Sequence, residues 1–220
     1  MSTQTIEHIV LFKVNQQTEP TKLNTMLNRL NNLISLDPVL HLSAGPIFRN
    51  KSKASSFTHL LHSRYKSKED LNAYGVHPDH QSVVKECVLP ICDDIMAVDW
   101  VSDLGPGPIK PGSAMRITFL KLKQGLGETE KGVVLDTIGG IKSGVGRECI
   151  EQISFGENFC ARAKGFSIGS IAVCRGVEDL DRLDMNGEVV EKEKEKVRDL
   201  LDGVIVLDYV VPSSLSPANL

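Results

Sequence analysis

A chain of 220 residues, 41% hydrophobic and 24% charged, has the balance of an ordinary globular protein with room for one large or two small domains. Its net charge of -3 gives no basic field for neutralising phosphates, and no run of 18 apolar residues offers a membrane span, so neither nucleic acid nor a bilayer is an expected partner. The five cysteines form no CxxC pair, which argues for a reducing compartment over a disulfide framework or a structural zinc site.

Ile6 to Val14 reads as a strand apolar on both faces, with His8, Val10 and Phe12 on one side. Thr18-Glu-Pro20 opens a helix whose stripe is Leu23, Met26, Leu27, Leu30, Leu33 and Ile34. Two strands follow, Leu40 to Phe48 and Phe57 to Tyr65, joined by Arg49 to Ser56, which reads as a polar, mobile hairpin loop. Period two in the second of these places His59 and Leu61 on one face and His62 on the other. Ser67 to Asp70 starts a short helix through Tyr74, the chain breaks over Gly75 to Pro78, and a further helix from Asp79 ends at Pro90. Ile95 to Trp100 closes this half as a strand.

Gly105-Pro-Gly-Pro108 and Pro111-Gly112 suit neither ladder nor helix, and 102–112 reads as a linker. The order then restarts. Ala114 to Lys123 repeats the first strand and Glu128 to Lys142 the first helix. Cys149 to Phe159 and Phe166 to Cys174 repeat the hairpin, Val177 to Met185 and Glu188 to Leu201 the later helices, and Val204 to Tyr209 the last strand. Setting Asp99-Trp100 on Asp208-Tyr209 aligns the halves with a shift of about 109 residues. The expectation is an α+β protein of two ferredoxin-like domains, 5–101 and 113–210, with a polar tail over 211–220. Four antiparallel strands with helices on one face leave the other face bare. The two sheets are therefore expected face to face, as an internal pseudo-dimeric barrel.

The stretches Glu7-His-Ile-Val-Leu-Phe-Lys-Val14, Phe57-Thr-His59, Tyr74-Gly-Val-His-Pro-Asp-His80 and Ile95 to Trp100 resemble the stress-responsive dimeric A/B barrel family, known largely from plants. The resemblance covers nearly all of the first half by motif and the second by pattern. It implies stress- or defence-associated proteins with a cavity under each sheet, in a family that also contains olivetolic acid cyclase, which closes a linear polyketide by intramolecular aldol condensation. Carried over by motif, the base falls on His80 and a substrate-holding phenol on Tyr74, while His8 and His59 match pocket-lining histidines. This chain departs from the pattern at Gly75, where a bulky apolar residue is usual, and in the second half, which has Arg116, Ile168, Leu183 and Val189 at the equivalent places.

The residues leave several functions open. One is binding of a small apolar or polyketide-like ligand in a first-half site lined by His8, Val10, Phe12, His59, Leu61, Tyr74 and His80. Another is a cyclase-type reaction there, in which neutral His80 takes a proton from carbon beside a carbonyl and Tyr74 donates to the oxygen that gains charge. A purely structural barrel, in which Tyr74 and His80 merely cap the helix break, is the third. No cofactor is expected, and no metal, since no carboxylate or thiolate stands at a partnering spacing from the histidines. Any homodimer should use a surface other than the barrel interior. The Gly139 to Gly146 stretch reads as a helix cap and turn rather than a phosphate loop. The amino end shows no leader, so the expected location is the cytoplasm. The peroxisome is added because Ala218-Asn219-Leu220 resembles the divergent tripeptides read by its import receptors.

Overall fold

The computed structural model describes residues 4–52, 55–103, 109–144, 148–185 and 187–212. The Gly105 to Pro108 part of the linker and the Ala218-Asn219-Leu220 tripeptide lie outside them. The first half consists of β1 (Thr5–Val14), α1 (Pro20–Asn32), β2 (His41–Pro46), β3 (Arg49–Asn50), β4 (His59–Tyr65), α2 (Lys68–Val76), α3 (Pro78–Val83) and β5 (Cys92–Ser102). The second consists of β6 (Ala114–Leu122), α4 (Glu128–Gly144), β7 (Gln152–Glu157), β8 (Ile168–Cys174), α5 (Val177–Met185), α6 (Gly187–Arg198) and β9 (Leu201–Val210). One sheet runs β2-β4-β1-β5 and the other β3-β9-β6-β8-β7, with every pairing antiparallel.

The period-two reading of β1 holds. Ile9 and Leu11 point into the barrel, where they meet Leu60, Met96, Val98 and Trp100 of their own half and Met115, Ile117, Phe119, Ile171 and Leu207 of the other. Val10 and Phe12 point away, into a continuous core with Met26 and Leu30 of α1, Leu61 and Tyr74. In the second half the helix-facing core is split in two, because Thr118 and Ser170 pair where the first half has Val10 and Leu61.

The loop after β2 differs from its sequence reading. Arg49 and Asn50 form a strand that pairs with β9 of the opposite half, Arg49 against Asp208. Flanking bonds extend the ladder, from Phe48 N–H to the Asp208 carbonyl at 2.9 Å and from Lys51 N–H to that of Val206 at 3.0 Å. Arg49 and Lys51 meet Asp181 and Asp184 of the second half. The second half returns the exchange. Phe159 N–H bonds the Asp99 carbonyl at 2.9 Å, and Ala97 N–H bonds that of Arg162 at 3.3 Å. Each hairpin thus covers the other sheet's edge, which closes the barrel and leaves no bare edge there.

Trp100 fixes how closely the sheets approach. Its indole lies over Gly156 and Gly169, and its Nε1–H donates to Ser154 Oγ at 2.9 Å. The helix expected over Glu128 to Lys142 runs two residues further, and 145–147 lie outside the described residues. Gly139 and Gly140 are inside α4, which continues to Gly144, and a Cβ at Gly139 would stand 3.1 Å from the Phe155 ring, so the small residue serves helix-to-sheet contact. Among the described residues no helix is long and apolar enough to cross a membrane.

Candidate functional site

Ser63, His8 and Asp99 are cross-strand neighbours on the helix-facing side of the first sheet. The His8 Nδ1–H donates to Asp99 Oδ1 at 2.6 Å, and both groups are buried. Tyr65 stands at the end of β4 with its hydroxyl 2.9 Å from Ser63 Oγ. Above this row α2 supplies Tyr74 and α3 supplies His80. Ring centroids are 6.4 Å apart for His8 and Tyr74, 5.3 Å for Tyr65 and Tyr74, and 4.5 Å for Tyr74 and His80.

Local sequence explains the placement. Ser67 caps α2 by accepting from the Asp70 N–H, and Glu69 and Asp70 suit the positive end of the helix. Tyr74 then falls on the buried face of its last turn. The chain breaks at His77, whose Nδ1 accepts from the Asp79 N–H, and Pro78 starts α3 in the first-turn position it tolerates. That break turns His80 back over Tyr74.

The groups are set for acid–base chemistry. A carbonyl can only accept, so the 3.0 Å contact between His80 Nδ1 and the Gly75 oxygen puts the proton on Nδ1 and leaves Nε2 bare. Burial lowers the His80 pKa below its ordinary value, with the Gly75 bond opposing and the charges of His8 and Arg162 assisting, so the ring is a neutral base at neutral pH. Burial pushes Tyr74 and Tyr65 the other way, well above a normal phenol. Both therefore stay protonated as donors.

Of the residues expected to form the site, His8, Tyr74 and His80 come together. Val10, Phe12 and Leu61 share the same sheet face but are packed into the helix core further along. His59 stands apart. It lies opposite Phe12, four residues along β4 from Ser63, which is about 13 Å of strand, and its Nδ1 meets Thr58 Oγ1. Reasoning from sequence missed Asp99, Tyr65 and Ser63, although Asp99 carried a signal as the acidic residue repeated by Asp208 on an otherwise apolar strand. It also missed the second half's contribution. The returning loop packs Cys160 against the first-half core, and the charge of Arg162 reaches both Cys160 and His80.

The second half holds no copy. Arg116 replaces His8, donating from Nε to Asp208 Oδ1 at 2.8 Å and from Nη1 to Asp184 Oδ1 at 2.8 Å. Leu183 replaces Tyr74 and is buried; the side chain of Val189 lies outside the described set. Two open surface depressions, of about 350 Å³ and 250 Å³, lie elsewhere, the larger adjoining the cluster only through Cys160. Among the described residues no three His, Cys, Asp or Glu side chains are grouped to hold a metal ion.

Two ferredoxin-like halves with exchanged hairpins and a helix-side polar cluster define an internally duplicated dimeric α/β barrel. The stress responsive A/B barrel domain (Dabb) matches the chain twice, over residues 6–102 and 114–211, and the chain belongs to that family. It is 50% identical over 220 residues to a stress-response A/B barrel domain-containing protein of Arabidopsis thaliana, covering 99% of this chain and 82% of that protein. To a second protein of the same description and plant it is 45% identical over 214 residues, covering 95% and 98%. Among solved structures it is similar to a putative monooxygenase from Fusobacterium nucleatum, with a TM-score of 0.66 at 11% identity over 96% of this chain and 94% of the other. An anthrone oxidase-like protein gives 0.64 at 12% identity over 99% and 97%. At such identities these structures share the fold alone.

Proposed function

We propose that the first half binds a small, largely apolar carbonyl compound at the His8, Tyr65, Tyr74 and His80 cluster, and that His80 acts there as a general base. The observation that carries this reading is the hydrogen bond from His80 Nδ1 to the Gly75 carbonyl, which leaves Nε2 bare on a ring whose centroid is 4.5 Å from that of Tyr74, itself 5.3 Å from that of Tyr65, with both phenols held protonated by burial. A base and a donor on one carbonyl group are what enolate formation needs: the base takes the proton from carbon, and the donor stabilises charge on oxygen. The two neighbouring phenols also favour a second reading, closure of a polyketide-like chain by intramolecular aldol condensation. There, one carbonyl forms the enolate while another accepts the new bond. The second half serves as scaffold and lends its loop.

The test is hydrogen–deuterium exchange at the carbons beside the carbonyl of 4-phenylbutan-2-one, followed by NMR in the presence of the protein. The protein should accelerate exchange, and His80→Ala should remove that acceleration by about 10²–10⁴-fold. Equal exchange with parent and variant rejects the role of His80.

A further inference from the structure

The two halves treat the crossing hairpin differently. Gly45 and Gly156 occupy matching places, opposite Leu60 and Gly169, and counting on from them pairs Phe48 with Phe159, Arg49 with Cys160 and Lys51 with Arg162. The backbone agrees, since Phe48 N–H bonds the Asp208 carbonyl and Phe159 N–H that of Asp99, both at 2.9 Å. Helices α2 and α5, nine residues each, pair Asn72 with Asp181, Tyr74 with Leu183 and Gly75 with Asp184.

In the second half this arrangement is electrically complete. Asp184 bridges the crossing Lys51 at 2.6 Å and Arg116 at 2.8 Å, and Asp181 takes Arg49. In the first half one of the two crossing cations is kept, Arg162 for Lys51, while Cys160 stands for Arg49, and the two helix carboxylates are gone. Arg162 is exposed, its charge reaches His80 and Cys160, and among the described residues no carboxylate pairs with it. Asp99 is engaged with His8. At the position of Asp184 stands Gly75, and a Cβ built there meets nothing within 4 Å.

We propose that the ligand of the first-half site carries a carboxylate, bound by the Arg162 guanidinium beside Gly75 in the place that Asp184 fills in the second half. This rests on the carbonyl site described above and adds the charge of its ligand. It also makes the site a joint product of both halves, because the recognising arginine belongs to the second. A planar guanidinium meets a carboxylate through two parallel hydrogen bonds, so the contact selects geometry as well as charge.

The test compares 4-oxo-4-phenylbutanoate with its methyl ester, measuring dissociation constants by calorimetry on the full chain. The parent should prefer the acid. Arg162→Gln, at an exposed position, should cut the ratio of acid to ester affinity about tenfold, as loss of a charge-assisted hydrogen bond does. Gly75→Asp should cancel the preference by supplying the carboxylate from within, with unchanged melting. An acid-to-ester ratio near one in the parent, or one that Arg162→Gln leaves unchanged, overturns the proposal while the carbonyl site stands. If neither probe binds the parent, the carbonyl site fails, and the proposal fails with it.

Discussion

Asp99 and Asp208 stand at the same register of the two sheets, one bonded to His8 and the other to Arg116. The same buried acid therefore orients an imidazole in one half and neutralises a guanidinium in the other. Their energetic roles follow from burial. Asp208 is fully buried, and Asp208→Ala should cost about 1.5–3 kcal/mol by removing the charged hydrogen bonds to Arg116, which keeps only Asp184. Asp184, with its side chain 35% exposed, should cost about 1 kcal/mol or less when replaced by alanine. Urea denaturation of the two variants decides between them, and equal costs would contradict this division.

Trp100 packs closely on Gly169 across the two sheets. A Cβ at Gly169 would lie 2.5 Å from Trp100 Cε3 and 2.6 Å from Cζ3, and the indole is fully buried with its nitrogen engaged. Gly169→Ala should therefore destabilise by about 1–3 kcal/mol through overpacking. As Trp100 is the only tryptophan, its fluorescence reports the same event, and the melting curve read from it should move down. An unshifted midpoint would show that the sheets separate to admit the methyl group at no cost.

Most of the fold was legible because alternation and turn chemistry repeat with the same spacing in both halves. The assignment of faces on β1, the opposed directions of His59 and His62, and the pairing of sheets across the barrel all follow from period two and one unburied face. The crossing of Arg49 and Asn50 was not legible, because a polar segment reads as a loop when its partners are acidic residues some 130 positions away, as the 132-residue separation of Arg49 and Asp181 shows. The candidate cluster was half legible. Helical and strand periodicity aim His8, Tyr74 and His80 at one another, but they cannot say which positions along a strand come within reach of the helix break, and so His59 was named and Tyr65 was not.

Acid should weaken the barrel in two stages. Glu7 is buried between His62, which donates to it at 2.6 Å, and Arg64, whose Nη2 lies 2.9 Å away. Burial alone would raise its pKa, but these partners outweigh it and hold the value at about 2. The ionised carboxylate thus contributes stability above its ordinary 4.5 that is lost as pH falls from there towards 2, about 3 kcal/mol in all. His41 acts earlier. Burial first, then the charges of His62 and Arg64, lower its pKa from 6.5 to about 3, so the unfolded chain binds this proton more readily from pH 6.5 downwards. Melting temperature should begin to fall below pH 6.5 and fall further below 4.5. Glu7→Gln should flatten the lower stage and cost about 3–5 kcal/mol at neutral pH, because Arg64 stays buried without its carboxylate. A midpoint constant from pH 7 to 3 would contradict both assignments.

The last prediction separates His80 from Tyr74 by pH. Because burial lowers the His80 pKa below 6.5, the working base is the deprotonated ring, present above that lowered value and lost as pH falls through it. Exchange of 4-phenylbutan-2-one should be flat from about pH 6.5 upwards and should decline towards tenfold per pH unit in acid, as expected for a single general base. Tyr74 stays protonated across this range, since burial raises its pKa, and adds no limb of its own. Tyr74→Phe keeps the ring against Tyr65 and His80 while removing the donor. The plateau should fall by about 10²–10³, the usual loss for one oxyanion donor, while the acid limb stays where it was. An acid limb displaced in Tyr74→Phe would mean that the phenol sets the protonation of His80 instead of meeting the carbonyl, and an unchanged plateau would mean that Tyr65 alone supplies the donor.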